Sequence, residues 1–339
     1  MAHRRYIIGQ TKTGKTSLLK QLIEEDAHKG ICVIDTKGDL TIPHDILFDP
    51  ASTRWNPLAE PIDRNIAPQL FARTIEDVVR EQGRDDKPLW VMNMSMNLKF
   101  LASALIDNRR NLTDISPFLL EKKTRAKFTH SDPLTEQYWS FFEAMSAKEQ
   151  MGHTTSTFNL FATLFMDERV RKLFSVNKIK FESGKSGLSL RAAQGKTIIV
   201  RLPVSEYGRE AVSIIGSLVL SYLNHLVPDC AIYVEDCDLF ANGTLIELLS
   251  SGNAPLTLSH QYVDQLNPSL FSAIQGNCSE QYLFRVSPQD ADILGRDLPP
   301  MSPKTSLDEL CNFRYRKIPF NNATDGLTIP LEKRDEGSD

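Results

Sequence analysis

The sequence lacks several features that would place it in a simple class. Its five cysteines form no C-x-x-C pair and have no histidine at zinc-ligand spacing, so we expect reduced thiols and no structural zinc site. No secretory signal precedes the first apolar segment, which runs directly into a glycine-containing motif. The formal net charge is −4, which argues against binding nucleic acid through overall charge but leaves local contacts open. Together these absences predict a cytoplasmic protein.

A long hydrophobic run is also missing. The longest apolar stretch, residues 211–227, is interrupted by polar and small residues, namely Gly216, Ser217, Asn224 and His225. A helix that crosses a bilayer needs about 20 predominantly apolar residues. We therefore expect residues 211–227 to form a helix buried against a sheet, and we predict no transmembrane segment.

The order of the apolar patterns predicts an α/β fold. Residues 5–8 fit a buried strand, residues 15–28 carry an apolar face at helical spacing, and residues 31–34 fit a second strand. A strand, a glycine loop, a helix and a strand in this order form the repeating unit of a parallel sheet. Alternating signals return after residue 195, and further strands are expected at residues 197–202, 231–234, 256–259 and 282–286.

The middle of the chain has a different texture. Its pattern is almost entirely helical, with candidate helices near residues 62–82, 89–108, 132–148 and 155–174. We predict a mainly parallel P-loop sheet built from residues 1–60 and 195–298, with an all-α subdomain of residues 61–194 inserted into it. Residues 299–339 contain several prolines and end in E-K-R-D-E-G-S-D, which predicts a partly disordered extension.

A phosphate-binding motif follows the first predicted strand. Residues 9–16 read G-Q-T-K-T-G-K-T, which satisfies the pattern G-x-x-x-x-G-K-[ST] completely. Glycines let the backbone wrap around an anion, and the next helix offers its positive N-terminus to the same phosphates. The motif assigns Lys15 to the β- and γ-phosphates and Thr16 to Mg²⁺. We predict ATP and Mg²⁺ as cofactors, bound by Gly9, Gln10, Thr11, Lys12, Thr13, Gly14, Lys15, Thr16 and Ser17.

Two acids at the end of a later strand are the second candidate site. A P-loop ATPase needs one carboxylate for the Mg²⁺ shell and one to orient the attacking water. Residues 231–236 read A-I-Y-V-E-D, an apolar strand that ends in Glu235 and Asp236. Asp35 and Asp39, within D-T-K-G-D after the second strand, form a competing acidic site that we expect to support the loop.

Taken in order, these segments resemble the FtsK/HerA superfamily of P-loop motors, which has a RecA-like core. The similarity is greatest to conjugative coupling proteins of the TraD/TraG-like kind, to type IV secretion ATPases and to their HerA-like relatives. It begins with the loop, V-I-D-T-K-G-D-L and F-D-P-A-S-T-R-W-N-P-L. It continues with G-K-T-I-I-V-R-L-P, A-I-Y-V-E-D-C-D-L-F, L-T-L-S-H-Q-Y-V-D-Q-L and I-Q-G-N-C-S-E-Q-Y-L-F-R-V-S-P-Q-D-A-D-I-L. The resemblance covers residues 5–298 and is carried by the order and spacing of these motifs.

The resemblance implies an ATPase that moves DNA, with double-stranded DNA as the expected partner. It implies that Glu235 holds Mg²⁺ together with Thr16, that Asp236 orients the attacking water, and that Gln261 senses the γ-phosphate. Such motors form hexameric rings in which an arginine of a neighbouring subunit completes each site. We nominate Arg285 for this trans role.

Two departures from the family pattern bear on the activity. The acid pair is reversed, because the family has aspartate followed by glutamate, so the carboxylate beside the water would be one methylene shorter. The family also carries a basic pair after the helix that follows the acidic strand, where this chain reads S-S-G-N-A-P and has Asn253. Both departures favour an alternative function, a nucleotide-binding assembly scaffold of a secretion or conjugation machine with weak or no hydrolysis.

The biological setting is predicted from the same resemblance. Coupling proteins begin with membrane helices, whereas this chain begins at its first predicted strand, as HerA-type and viral packaging members do. We therefore expect a packaging or translocating ATPase of a virus or mobile element. Its partner would be a viral portal or a secretion or conjugation complex, and a packaging enzyme would be virion-associated. A small-molecule kinase that shares only the loop is a more remote alternative, since 220 residues separate Lys15 from Glu235 (235 − 15).

Overall fold

The computed structural model describes residues 3–27, 30–81, 88–180, 187–240, 242–295, 307–312, 314–319 and 324–327. Its strands are short, and those in the centre of the sheet are apolar and buried, as expected for a sheet covered on both faces. They are β1 (Arg4–Ile8), β2 (Ile31–Asp35), β3 (Ile46–Phe48), β4 (Ile179–Lys180), β5 (Gly187–Leu188), β6 (Thr197–Arg201), β7 (Ala231–Val234), β8 (Leu256–His260), β9 (Glu280–Leu283), β10 (Arg314–Pro319) and β11 (Thr324–Leu327).

Helices connect many of these strands and dominate the described residues between β3 and β4. They are α1 (Lys15–Asp26), α2 (Ala67–Glu81), α3 (Pro88–Asp107), α4 (Ile115–Leu120), α5 (Lys122–Arg125), α6 (Pro133–Ala144), α7 (Ala147–Leu164), α8 (Glu168–Leu173), α9 (Val204–Tyr207), α10 (Arg209–Leu226), α11 (Gly243–Ser251), α12 (Pro268–Asn277) and α13 (Pro288–Gly295). Within the described parts of this segment, helices α2 to α8 follow one another without an intervening strand, as its helical pattern predicts.

Nine of the described strands form one sheet, in the order β11-β10-β9-β1-β8-β7-β2-β6-β3. The strands from β9 to β3 are parallel, whereas β10 and β11 add to β9 in antiparallel pairing. The predicted α/β fold with a mainly parallel sheet is confirmed. Because carboxyl ends of parallel strands meet at one edge, the loops after β1, β2, β7, β8 and β9 converge there.

Two apolar cores lie on opposite faces of this sheet. Tyr6 and Ile8 of β1 belong to the larger core and Ile7 to the smaller one, as the two-residue period of a strand requires. Helix α1 covers the smaller core, and α10 lies in the larger one with residues 211–223 all buried. The predicted buried helix is therefore confirmed. Among the described residues, no helix is both long and apolar enough to cross a membrane.

One buried carboxylate joins the two ends of the helical insertion. Glu60, at the point where the chain leaves the core, accepts hydrogen bonds from Trp55 Nε1 at 2.8 Å and from Ser189 Oγ at 2.6 Å. It also accepts the backbone N–H of Leu190 at 2.8 Å, where the chain returns. Burial raises the pKa of Glu60 against the opposing effect of these three donors. The exit and the return of the insertion are thus held together at one point.

The helix boundaries inside the insertion differ from the predicted ones. The second half was expected as helices at residues 132–148 and 155–174, but α7 begins at Ala147. Ser146 is its N-cap: the Ser146 hydroxyl accepts from the Glu149 N–H, and the Glu149 carboxylate accepts from the Ser146 N–H. This reciprocal capping box ends one helix and starts the next within two residues, without a proline or glycine to mark the break.

The segment after residue 298 contributes strands to the core sheet. β10 pairs with β9, with Arg316 opposite Leu283, and β11 pairs with β10. Arg316 is buried in this extension. Residues 328–339, at the end of the segment predicted to be partly disordered, lie outside the described residues.

Candidate functional site

The loop between β1 and α1 folds tightly at the carboxyl edge of the sheet. Its backbone has positive φ at Lys12 (64°) and at Gly14 (109°), and Gly14 is the N-cap of α1. A side chain at Gly14 would be strained, because L-residues rarely adopt this φ. The Thr13 hydroxyl donates to the carbonyl of Gln10 at 2.7 Å and braces the turn. The first N–H groups of α1 have no partner within the helix, and such groups bind phosphate.

Lys15 lies folded against its own loop. Its ammonium donates to the carbonyl oxygens of Gly9 at 2.6 Å and Gln10 at 2.9 Å. Burial, and next the neighbouring charge of Lys37, lower the pKa of Lys15 to about 8. Because burial and Lys37 disfavour the charged form of Lys15, an added anion would stabilise its ammonium, as expected for a lysine that binds phosphate.

Glu235 follows β7 directly and points into the space beside the loop. It is 3% exposed, and its Oε1 accepts the Thr16 hydroxyl at 3.4 Å. Burial raises the pKa of Glu235, while the charge of Lys37 opposes the shift. Its other oxygen, Oε2, is buried and has no hydrogen-bond partner within the described part of the chain. A buried acceptor left open beside a threonine hydroxyl suits a hard cation with oxygen ligands, such as Mg²⁺.

Asp236 has a different environment from its neighbour. Its φ is 46°, a left-handed backbone conformation that aspartate tolerates better than most residues. The turn directs its carboxylate toward the Thr36 hydroxyl, which donates to Oδ2 at 2.9 Å. The strained turn lets two consecutive acids face the same space, although side chains alternate sides along a strand.

The loop after β2 is built around Asp35. Its carboxylate accepts three backbone N–H groups, from Lys37 at 3.1 Å, Gly38 at 2.7 Å and Leu40 at 3.1 Å. Gly38 has φ 76°, a left-handed conformation that the sharp turn requires and that glycine adopts without steric strain. This folding directs Lys37 at the acid pair: its ammonium forms an ion pair with Glu235 and lies 3.5 Å from Oδ2 of Asp236. Burial acts to lower the pKa of Lys37, but the charges of Glu235 and Asp236 together have the larger effect. The pKa of Lys37 is therefore raised above the ordinary value of a lysine.

The two acidic sites expected from the sequence form one cluster. Ligand oxygens of Asp35, Asp39 and Glu235 all lie within 4.8 Å of one another. Strand β2 is not adjacent to β1, since β8 and β7 separate them, so in the strand order the acid pair after β7 lies nearer to the phosphate loop than Asp35 does. The ion pair of Lys37 and the hydrogen bond of Thr36 were not predicted. The only sequence signal for Thr36 and Lys37 is their position in the motif D-T-K-G-D. The family resemblance includes this motif but assigns no contact to either residue.

Gln261 lies between the loop and the acid pair. It follows β8, the strand between β1 and β7, and its Oε1 accepts the Thr11 hydroxyl at 3.1 Å. The preceding His260 is fully buried and contacts Tyr6, with its Nε2 2.6 Å from the Tyr6 hydroxyl. Burial lowers the pKa of His260 to about 4. Alternation along β8 therefore sends His260 into the core and leaves Gln261 at the site.

Arg285 follows β9 and contacts the loop of its own chain. Its Nε donates to Oε1 of Gln10 at 3.3 Å, and its carbonyl accepts the Gln10 N–H at 2.8 Å. The five catalytic candidates, Lys15, Glu235, Asp236, Gln261 and Arg285, thus lie around the phosphate loop. The trans role nominated for Arg285 stays a prediction, because its described contacts are within the same chain.

A family model of the type IV secretion-system coupling protein DNA-binding domain matches residues 2–179, just over half of the 339 residues. The chain belongs to this family. The matched segment contains the phosphate loop, the loop built on Asp35 and most of the helical insertion. The sequence-based assignment to the FtsK/HerA-type P-loop ATPases, which include the coupling proteins, is confirmed.

Solved structures show the fold of this coupling-protein chain at low sequence identity. The bacterial conjugative coupling protein TrwB, in an unbound form, has a TM-score of 0.69 at 14% identity, covering 96% of this chain and 84% of that chain. TrwB in complex with ADP and Mg²⁺ has a TM-score of 0.66 at 16% identity, covering 96% and 84%. VirB4 of Thermoanaerobacter pseudethanolicus has a TM-score of 0.61 at 11% identity, covering 96% and 89%. No curated protein sequence matches the chain.

Proposed function

We propose that this coupling-protein chain binds ATP with Mg²⁺ on the loop of residues 9–16 and hydrolyses ATP to move DNA. One observation carries the proposal: the Thr16 hydroxyl lies 3.4 Å from Glu235 Oε1, which unites the loop and the acid pair in one site. The family description names DNA binding. Solved structures of TrwB, which has this fold, are complexes with ADPNP and with ADP and Mg²⁺, which supports the same ligands here.

Each residue has a distinct task in this proposal. Lys15 leaves the loop carbonyls and binds the β- and γ-phosphates, where it stabilises the charge of the transition state. Thr16 and Glu235 would hold Mg²⁺, which would supply positive charge to neutralise the phosphates. Asp236, fixed by Thr36, orients the attacking water. Gln261, hydrogen-bonded to the loop, detects the γ-phosphate.

Phosphate release by the purified protein tests the proposal directly. We expect double-stranded DNA to raise turnover severalfold, and the stimulation to fall as salt rises because DNA contacts release counterions. Lys15→Ala should abolish turnover with and without DNA. Equal turnover in the two conditions, or an active Lys15→Ala variant, contradicts the proposal.

A second function is favoured by the ion pair between Lys37 and Glu235. A metal ligand already paired with a lysine, in an acid pair of reversed order, would slow hydrolysis and leave a nucleotide-binding scaffold. ATP would then promote assembly without turnover. Light scattering after size exclusion should show ATP-dependent oligomers while phosphate release stays at background. Rapid steady-state release rules this function out.

The oligomer and its surroundings are further parts of the proposal. We propose a hexameric ring that encloses double-stranded DNA, at the cytoplasmic side of a type IV secretion or conjugation complex. The family match supports this setting over a viral portal. Sedimentation of the protein with ATP, with and without a DNA duplex, tests both points: a monomer under all conditions excludes the ring, and preference for single strands excludes the duplex.

A further inference from the structure

Among the described residues, the ammonium of Lys37 is the positive charge closest to the acid pair. It forms an ion pair with Glu235 and lies 3.5 Å from Oδ2 of Asp236. The backbone that carries Lys37 is fixed, because the Asp35 carboxylate accepts its N–H and that of Gly38. The contact is therefore a built feature of the loop after β2 and not a chance approach of a surface lysine.

The charges around Glu235 explain why this contact forms. The Glu235 side chain is 4% exposed, and the carboxylates of Asp35, Asp39 and Asp236 surround it. Several carboxylates this close repel one another strongly away from water, and a cation must balance them. Lys37 supplies that charge from within the chain, and its side chain is 38% exposed, so it can swing out toward solvent.

We propose that Lys37 is an internal counter-ion that holds Glu235 and Asp236 in the nucleotide-free protein and is displaced when a divalent cation binds Glu235. A divalent cation on the same carboxylate repels the Lys37 ammonium even if it takes the open oxygen Oε2, so each cation opposes the binding of the other. Once displaced from Glu235, the Lys37 side chain, which is 38% exposed, becomes available to an incoming phosphate. Lys37 therefore acts by positioning Glu235 and Asp236. The role in nucleotide exchange rests on the proposed function, whereas the competition with a divalent cation does not.

Mn²⁺ binding to the nucleotide-free protein tests the competition without any turnover. Free Mn²⁺ is measured by its electron paramagnetic resonance signal during titration. We expect Lys37→Met to bind Mn²⁺ about tenfold more tightly than the wild type, since it removes the competing charge. Lys37→Arg, which keeps the charge, should stay within about twofold of the wild type. The matched control is Lys172→Met, which removes a 2.7 Å ion pair with Glu168 far from the site and should change nothing.

Labelling of the wild-type protein tests the displacement without a substitution, and so does not depend on a variant that folds. Acetic anhydride labels exposed lysines, and mass spectrometry reads Lys37 and Lys172 separately. We expect Mn²⁺ to increase labelling of Lys37 severalfold and to leave Lys172 unchanged. If Mn²⁺ binds while Lys37 labelling stays constant or falls, or if Lys37→Met binds Mn²⁺ no better than the wild type, the counter-ion role is wrong.

Nucleotide binding in EDTA and in Mg²⁺ separates this proposal from the proposed function. In Lys37→Met we expect weaker ATP binding in EDTA, because the acid pair then faces the phosphates unbalanced, and recovery when Mg²⁺ is added. If the ratio of the ATP affinity in Mg²⁺ to the ATP affinity in EDTA is the same for Lys37→Met and the wild type, Lys37 has no role in nucleotide binding. Absence of ATP binding by the wild type in both buffers instead overturns the proposed function, while the Mn²⁺ and labelling results still decide the counter-ion role.

Discussion

Glu60 and Ser189 are separated by 129 residues in the sequence and meet in a 2.6 Å hydrogen bond. This bond closes the base of the helical insertion, because Glu60 ends the core segment and Ser189 begins the return. The bond thus connects the stability of the core to the placement of the insertion.

Glu60→Ala should lower the free energy of unfolding by about 3 kcal/mol or more, since it leaves three buried donors unsatisfied. Urea denaturation measures the change. Glu168→Ala is the control, because it removes an exposed ion pair, and such pairs contribute little to stability. A loss for Glu60→Ala no larger than that of the control would show that the buried bonds do not hold the insertion.

Asp77 predicts a pH dependence of stability. Burial raises the pKa of its carboxyl to about 6, and Oδ2 has no hydrogen-bond partner within the described residues. A raised pKa means that the folded state favours the protonated form. That stabilisation is complete below the ordinary pKa of an aspartate and is lost as the pH rises to about 6.

In Asp77→Asn the side chain is neutral at every pH, so the variant does not lose stability through ionisation at this position. It should therefore be more stable than the wild type at pH 7. We expect a gain of about 1 kcal/mol, after allowance for solvent screening of a half-buried group. Urea denaturation at pH 7 and at pH 4.5 gives the comparison, and the gain should shrink at the lower pH. A gain of equal size at both pH values would assign it to packing instead of ionisation.

The reversed acid pair can be tested by restoring the family order. The double variant Glu235→Asp with Asp236→Glu should hydrolyse ATP at least as fast as the wild type if one methylene limits the water-orienting carboxylate. Asp236→Asn should lower kcat by about a hundredfold or more while ATP still binds, because it removes only the group beside the water. Phosphate release and equilibrium ATP binding are measured on the same preparations. Unchanged turnover in Asp236→Asn would remove Asp236 from the chemistry.

Gln261→Ala should separate hydrolysis from binding. The side chain contacts the loop through Thr11 and lies between loop and acid pair, so its loss should affect the γ-phosphate more than the rest of the nucleotide. We expect kcat to fall by about tenfold to a hundredfold with KM within about threefold of the wild type. The measurement is steady-state turnover over a range of ATP concentrations. A rise in KM at constant kcat would instead assign Gln261 to nucleotide binding.

Arg285 can be assigned to its own site or to a neighbour by mixing variants. Its contact with Gln10 of the same chain places it at the edge of its own site, while the sequence predicts a trans role. If Arg285 acts in cis, Arg285→Ala mixed with Lys15→Ala should recover no turnover, because every subunit lacks one part of its own site. Recovery in the mixture would show that Arg285 completes the site of a neighbouring subunit.

Much of the candidate site could be predicted because its residues belong to short contiguous sequence motifs. Residues 9–16 define the loop by themselves, and Glu235 with Asp236 stands out as an acidic end of an apolar strand. The sequence did not predict that Lys37 pairs with Glu235, or that Thr36 fixes Asp236. Those contacts depend on β2 lying beside β7, and strand order is decided by non-local packing that local patterns do not encode.

The sequence by itself determined the type of fold, the loop that binds phosphate and the position of the acids along the chain, since each depends on residue types at close spacing. The tertiary structure decided which acids meet, how the insertion is fastened by Glu60, and which charge balances Glu235. It also decided that β10 and β11 extend the sheet, although their segment has no strong strand pattern. The physical reason is that these contacts join residues far apart in the chain, and their free energy comes from burial and pairing that exist only once the sheet is assembled.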